Sequence, residues 1–393
     1  MKIFFDKLHL PVQRNMVVSN NQIVFTDEKS KKCDLYFGQQ EHNHLNSYLS
    51  LFEENSFEVI TKKYFNIIKE LKIKNPNWKF LLKESEYAEI KSSFKKKLSS
   101  LIETMSNIEY SQYFSEGNYV LNNLENIVVD VDLLKQKIKK EENPTLRSII
   151  SSFLPKSGNT CSEIEFNRLK TTTGRLVVSK GPQILLLPKD MRRTIVSRYG
   201  KEGSVLWVDF VSLEPRFTKL LSSNSSEVDI YSDILKKSGL NCSRKKIKLA
   251  VLATLFGAGM KKLIEILDED AFEVRKSIKK YFNLDEVLGR VGDFKRGKIK
   301  NYFGRNIFLK NSTSNVALNN YIQSSCVDIS LIGFSSLLKD SNLPKSVKPI
   351  AVVHDALVVD IKNSDLQALE EIINKGININ KLGKFYLGFE SYE

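Results

Sequence analysis

Two stretches decide the fold of this 393-residue chain: Val205-Leu206-Trp207-Val208-Asp209-Phe210 and Ile350-Ala351-Val352-Val353-His354-Asp355-Ala356-Leu357-Val358-Val359. The first reads as a buried strand ending in an aspartate. Ser212-Leu213-Glu214-Pro215-Arg216 then opens a helix, with proline tolerated in its first turn. In the second, two apolar runs flank His-Asp-Ala, as in a hairpin that presents Asp355 at its tip. A carboxylate at the edge of a core strand is costly unless it is solvated, paired or bound to metal. Two such aspartates on neighbouring strands make a hard, oxygen-rich site suited to Mg²⁺. Either aspartate alone is more often an ordinary turn or cap residue.

Between them, Ser243-Arg244-Lys245-Lys246-Ile247-Lys248 continues through Leu252 to Phe256-Gly257-Ala258-Gly259. Arg244, Lys248, Leu252 and Phe256 recur every four residues and share one helix face, about 18 Å long. Asn241 or Ser243 would cap its start and Gly257 would end it. Such a face can hold a triphosphate at its basic end and stack an aromatic on a base at the other. The plain alternative is an amphipathic helix with a solvated basic end.

Further out, apolar β-type runs also occur at Ile184–Leu187, and residues 228–338 read as an almost purely helical block. Strands flanking a long helical insertion indicate a mixed α+β fold, a sheet domain with a helical domain inserted into it. Ser222–Ser226 reads as a short surface linker. Before Pro144 the chain differs: a few small strands in the first fifty residues, including Gln22-Ile23-Val24-Phe25, then lysine-rich helical patterns from Ser56 to Thr104 and from Leu133 to Glu142. Lys95-Lys96-Lys97 and Lys135, Lys137, Lys139 and Lys140 could track a phosphate backbone, although a solvated face explains any single lysine. Asp130 and Asp132 read as a cap before Leu133.

With 60 Lys+Arg against 46 Asp+Glu, the net charge of +14 favours a polyanionic partner, either nucleic acid or an anionic membrane surface. No run of about 18 apolar residues marks a membrane span, and no signal peptide is evident at MKIFFDKLHLPV. The four scattered cysteines (Cys33, Cys161, Cys242, Cys326) suit a reducing compartment rather than a disulfide framework or a zinc site. The expectation is a cytoplasmic protein, of a bacterium or a phage-infected cell.

From about Leu146 to the C-terminus the chain resembles DNA polymerase family A, the polymerase I and phage replicase group. Thr173-Gly174-Arg175-Leu176 matches the first polymerase signature, followed by Pro182, Leu187-Pro188 and Arg192-Arg193. Motif A resembles Asp209-Phe210-Val211-Ser212-Leu213-Glu214-Pro215-Arg216, and motif B resembles Arg244, Lys248, Leu252 and Phe256-Gly257. Gly304-Arg305, Asn319 and Gln323 fit later elements, and His354-Asp355-Ala356 fits motif C.

The resemblance implies a right-hand polymerase: an antiparallel-sheet palm, helical fingers inserted in it and a helical thumb. The divisions expected are a small N-terminal region (1–55), thumb (56–145), palm with motif A (146–225), fingers with return to the palm (226–338) and palm with motif C (339–393). It implies that Asp209 and Asp355 hold two Mg²⁺ ions, with Arg244 and Lys248 on the triphosphate and Lys248 counted with the catalytic set. Leu252, Phe256 and Glu214 would complete the dNTP site, Phe256 beside the templating base and Glu214 excluding a ribose 2′-hydroxyl. His354 would contact the primer-terminal phosphate; Arg175, Asn319, Gln323 and Arg305 would touch primer-template DNA. Leu252, Phe256, Ala356 and Ser212 depart from the family pattern and read as tuning.

The expected activity is DNA-templated DNA synthesis. Asp6-Lys7-Leu8 lacks the Asp-x-Glu of a proofreading nuclease, so no editing is expected. Residues 1–55 could bind a processivity or replisome factor. Two alternatives stand beside this reading: a single-subunit RNA polymerase, opposed by Glu214, and a non-catalytic primer-template binder.

Overall fold

The computed structural model describes residues 108–391 apart from 169–170, 224–226, 240–241 and 268–270, together with four strands and a few helical residues before residue 93. The chain divides into two compact units, 1–118 and 119–393. In the first, β1 (Lys2–Phe5), β2 (Asn15–Ser19), β3 (Gln22–Thr26) and β4 (Leu35–Phe37) form one sheet in the order β3-β2-β1-β4. β1 is antiparallel to β2 and parallel to β4. Most of the expected helical stretch 56–104, Lys95–Lys97 and Asp6-Lys7-Leu8 lie outside the described residues.

In the second unit, a short helix, α1 (Ile108–Asn122, which begins in the first unit), is followed by α2 (Val131–Lys140) and α3 (Pro144–Ser151). Asp130 caps α2, its carboxylate accepting from Leu133 N at 2.9 Å, and Asn143 caps α3 with Pro144 at the first position. Both helix starts follow the rules that the sequence obeys locally. Ile127, Val129, Leu134 and Ile150 pack into one core with Val205, Trp207 and Ile350. Ile127, Val129 and Leu134, which precede residue 145, are therefore packed with the sheet domain.

The central sheet is wholly antiparallel. β7 (Gly203–Phe210) lies between β11 (Ala356–Lys362) and β14 (Leu387–Ser391), with β10 (Lys348–Val353) beyond β11. Two small hairpins, β5 (Glu165–Asn167) with β6 (Val177–Lys180) and β12 (Ile377–Ile379) with β13 (Gly383–Phe385), flank it. Between β7 and β10 run α4 (Leu213–Ser222), α5 (Ile230–Ser238), α6 (Arg244–Leu255), α7 (Met260–Leu267), α8 (Ala271–Phe282), α9 (Leu284–Val291) and α10 (Ser314–Leu338). The helical insertion is as expected, but it is interrupted by a hairpin, β8 (Lys298–Lys300) and β9 (Asn306–Phe308). α11 (Leu366–Lys375) follows β11.

One expected strand is absent. Ile184–Leu186 is a 3₁₀ turn, with Leu186 N bonded to Gln183 O at 3.0 Å. Pro182 and Pro188 bracket the run, and neither can donate to a ladder. Its apolar residues fill a corner instead, Ile184 and Leu187 inward and Leu186 60% exposed.

α10 is long and apolar enough by length and composition to cross a membrane, yet 72% of its apolar window is buried inside the protein. It lies against the sheet through Phe210, whose ring is 5.3 Å from Phe334 and 6.3 Å from Phe385. Gly333 makes this approach feasible, since a Cβ there would stand 2.6 Å from Phe210 Cζ. Gly333→Ala gains up to about 1 kcal/mol of helix propensity, but overpacking a ring held on two other sides costs about 1–3 kcal/mol. The expected outcome is a net loss of stability, read as a lower urea midpoint; an equal or higher midpoint would show that Phe210 can yield.

Candidate active site

The register of the sheet brings the two aspartates together. Val353 pairs with Ala356, so His354-Asp355 forms a two-residue turn with His354 at φ +57°. Ala356 pairs with Asp209, and Phe210 N donates to Asp355 O at 3.4 Å. Asp355 therefore lies one step diagonally from Asp209. On the other side, Asp209 faces Gly388 of β14.

The electrostatics follow from that proximity. Part of Asp209 is open to solvent, yet its carboxyl is crowded by protein; burial first, then Asp355, raises it above the carboxylate range. Burial also raises Asp355, against the opposing effects of its own backbone N–H, His354, Arg175 and Lys248. Glu214 is raised by burial and by Asp355. Two crowded carboxyls with a third nearby form a site where ionisation is disfavoured, and a hard cation there would favour the charged forms. Among the described residues no group of three His, Cys, Asp or Glu is placed to hold a metal. A pair of carboxylates still fits Mg²⁺, which retains waters and shares its coordination with substrate phosphates.

Asp355, His354, Glu214, Arg175, Gln323, Leu252 and Phe256 line one cavity of about 350 Å³. Seven of the residues expected from sequence thus converge on one space. Lys248 acts on Asp355 through its charge without lining the cavity. The helix carrying it is capped by Ser243, whose hydroxyl accepts from Lys246 N at 3.3 Å, and it is ended by Gly257 at φ +74°. Asn241 lies outside the described residues.

Residues 83–385 match the family model described as DNA polymerase family A. The chain belongs to DNA polymerase family A. Two curated Helicobacter pylori DNA polymerase I proteins, from different strains, are each 24% identical over 247 residues, covering 54% of this chain. That match spans 27% of their own length. A solved structure of the polymerase domain of Pol1 from M. smegmatis, in complex with DNA primer-template and dNTP, aligns with a TM-score of 0.47 and 18% identity, covering 67% of this chain and 56% of that one.

Three family positions sit differently from expectation. Arg244 is tied to Asp229, Nε to Oδ2 at 2.8 Å and Nη2 to Oδ1 at 3.1 Å, and lies 5.4 Å over Tyr231. This bidentate pair holds Asp229 down at about 2. Asn319 stands outside the cavity lining, one helical turn before Gln323 on α10. Arg305 is 5% exposed, with Nη2 donating to Arg168 O at 3.1 Å. A Cβ on Gly174 would overlap its Nη1 at 1.7 Å, so Arg305 is packed beneath the Thr-Gly-Arg-Leu turn instead of being presented to solvent as a DNA contact.

That turn is set on a buried polar network that sequence reasoning missed. Arg168 Nη2 donates to Asp328 Oδ1 at 2.7 Å, and Asn301 Nδ2 donates to Asp328 Oδ2 at 2.6 Å. Asn301 Oδ1 accepts from Phe303 N and Arg305 N. The network joins the segment bearing Arg175 to the helix bearing Gln323. Cys326, Val327, Ser330 and Leu331 of that helix also line the cavity. Their spacing from Gln323 is that of one helix face, a signal present in the sequence.

Asp328→Asn leaves a guanidinium buried without its carboxylate, a loss of about 3–5 kcal/mol. The expected outcome in urea unfolding is that loss, largely recovered when Asp328→Leu is combined with Arg168→Met. A single variant of wild-type stability would show that the pair is dispensable.

Proposed function

We propose that the protein is a DNA-templated DNA polymerase that adds deoxynucleotides to a primer 3′-hydroxyl. The observation that carries this reading is Asp355 at a cavity lined by Leu252 and Phe256 of the motif B helix, with Asp209 beside it through the strand register although outside the cavity lining, in a family A chain. Asp209 and Asp355 would hold two Mg²⁺ ions. When bound, these supply charge that favours ionisation of the primer hydroxyl and steadies the pyrophosphate leaving group.

The chain's own residues do the positioning. Lys248 directs positive charge at the Asp355 side of the site, where the triphosphate would lie. Arg244 joins it after exchanging Asp229 for a phosphate, an exchange of one charge-assisted pair for another. Phe256 offers its ring to the templating pair, and Leu252 supports the nucleotide with apolar contact. Glu214 fills the space a ribose 2′-hydroxyl would need, which favours dNTPs over NTPs. Arg175 and Gln323 line the same cavity from the opposite elements, suited to minor-groove acceptors common to all base pairs. His354 would meet the primer-terminal phosphate. The substrates are primer-template DNA and dNTPs.

Primer extension with dNTPs and Mg²⁺ tests the reading. Asp209→Asn and Asp355→Asn are each expected to lower the extension rate on the order of 10²- to 10³-fold or more, with primer-template affinity retained. Wild-type rates in either variant would remove that aspartate from the site. Glu214→Ala is expected to raise NTP use relative to dNTP use by about tenfold, roughly 1.4 kcal/mol. Unchanged discrimination would assign sugar selection elsewhere.

A further inference from the structure

The hairpin β8–β9 has one buried and one outward face. Ile299 and Ile307 point inward, whereas the outward face carries Lys298 paired across the strands with Phe308, and Lys300 paired with Asn306. Phe308 is 53% exposed, and Lys298 Nζ lies 5.4 Å from its ring centroid. The surrounding chain is one-sided in charge: from Phe294 to Val327 there is no Asp or Glu, while Lys295, Arg296, Lys298, Lys300, Arg305 and Lys310 all fall within it. The carboxylate just before this stretch, Asp293, is paired with Arg296 at 3.1 Å.

The platform is rigidly mounted. Its connecting loop is held by Asn301 on Asp328 and by Tyr302 N donating to Ser325 Oγ at 3.0 Å. The chain leads from it within a few residues to the far end of the motif B helix. A Cβ on Gly257 would meet Asn315 Cβ at 3.0 Å, so the residue after Phe256 touches the start of α10. Phe308 precedes Asn315 by seven residues, a reach of at most about 25 Å.

An exposed aromatic set among lysines, on a stretch of chain without carboxylates, suits one ligand class: single-stranded nucleic acid, whose bases stack on the ring while its phosphates meet the cations. We propose that the outward face of this hairpin binds the unpaired template strand ahead of the templating base, with Phe308 as the stacking residue and Lys298 and Lys300 as phosphate contacts. The inference rests on the polymerase reading above, which sets the templating base at Phe256. It gives the enzyme a second hold on its template, outside the cavity.

The test is equilibrium binding of full-length protein to labelled primer-templates with 5′ overhangs of 1 or 10 nucleotides, followed by fluorescence anisotropy without dNTPs. Wild type is expected to bind the long overhang about tenfold more tightly. Phe308→Ala should abolish that increment and leave the 1-nucleotide affinity unchanged, and Phe308→Tyr should keep it. Lys298→Ala with Lys300→Ala should reduce the salt dependence of the increment. An increment that survives Phe308→Ala, or equal weakening on both substrates, would overturn the proposal. So would a concentration-dependent self-association abolished by Phe308→Ala with DNA binding untouched, which would assign the face to a second copy. Extension by wild type on the short overhang is scored separately, so that failure of the polymerase reading is distinguishable from failure of the platform.

Discussion

Two carboxylates set side by side repel each other, and the structure depends on what holds them there. The register of β11 on β7 does it, pairing Ala356 with Asp209 and leaving Asp355 one step away, its carbonyl bonded to Phe210 N. A slip of one residue would turn Asp209 to the opposite face of the sheet. The apolar burial on both sides of β7 prevents that slip: Val205 and Trp207 join the core with Ile127, Leu134 and Ile150, and Phe210 packs under α10. The acid pair is thus stabilised indirectly, by residues that never touch it.

A second constraint supports the other wall of the cavity. Asp328, buried on α10, takes hydrogen bonds from Arg168 and Asn301, and Asn301 in turn accepts from the backbone that carries Arg305. Arg305 then packs beneath Gly174, whose φ of +79° and missing Cβ let the guanidinium approach. Arg175 and Gln323, distant in sequence, face one space because this network leaves the turn and the helix little freedom relative to each other. Such specificity is obtained at the expense of burying charge, and Nε and Nη1 of Arg305 are buried there without a hydrogen-bond partner.

Much of this was legible in the sequence, and the legible parts were local. The strand ending at Asp209, the hairpin tip at Asp355, the caps at Asp130 and Ser243 and the stop at Gly257 each follow from rules acting over a few residues. What was not legible depends on residues far apart. β14, with the sequence Leu-Gly-Phe-Glu-Ser, has no strand signature of its own and exists because β7 needs a neighbour. Arg305 matches a family position, yet its burial is decided by Gly174 and Arg168, more than a hundred residues earlier. Arg244 reads as an available cation until folding brings Asp229 beside it. The apolar run before Pro188 misled for the opposite reason, since the flanking prolines, local and visible, outrank its composition.

The insertion of a helical block and a hairpin between β7 and β10 also shapes how the molecule comes to be. The strands that create the acid pair are separated by the whole inserted block, so their pairing must close a long loop. The entropic cost of such closure grows only slowly with length, but contacts between distant segments slow the search for the native state. Helices α4 to α9, with their short connections, can organise before that closure. Asp209 and Asp355 become neighbours only when the two ends of the block are reunited, so a chain still partway through folding carries the basic helix without the acidic pair.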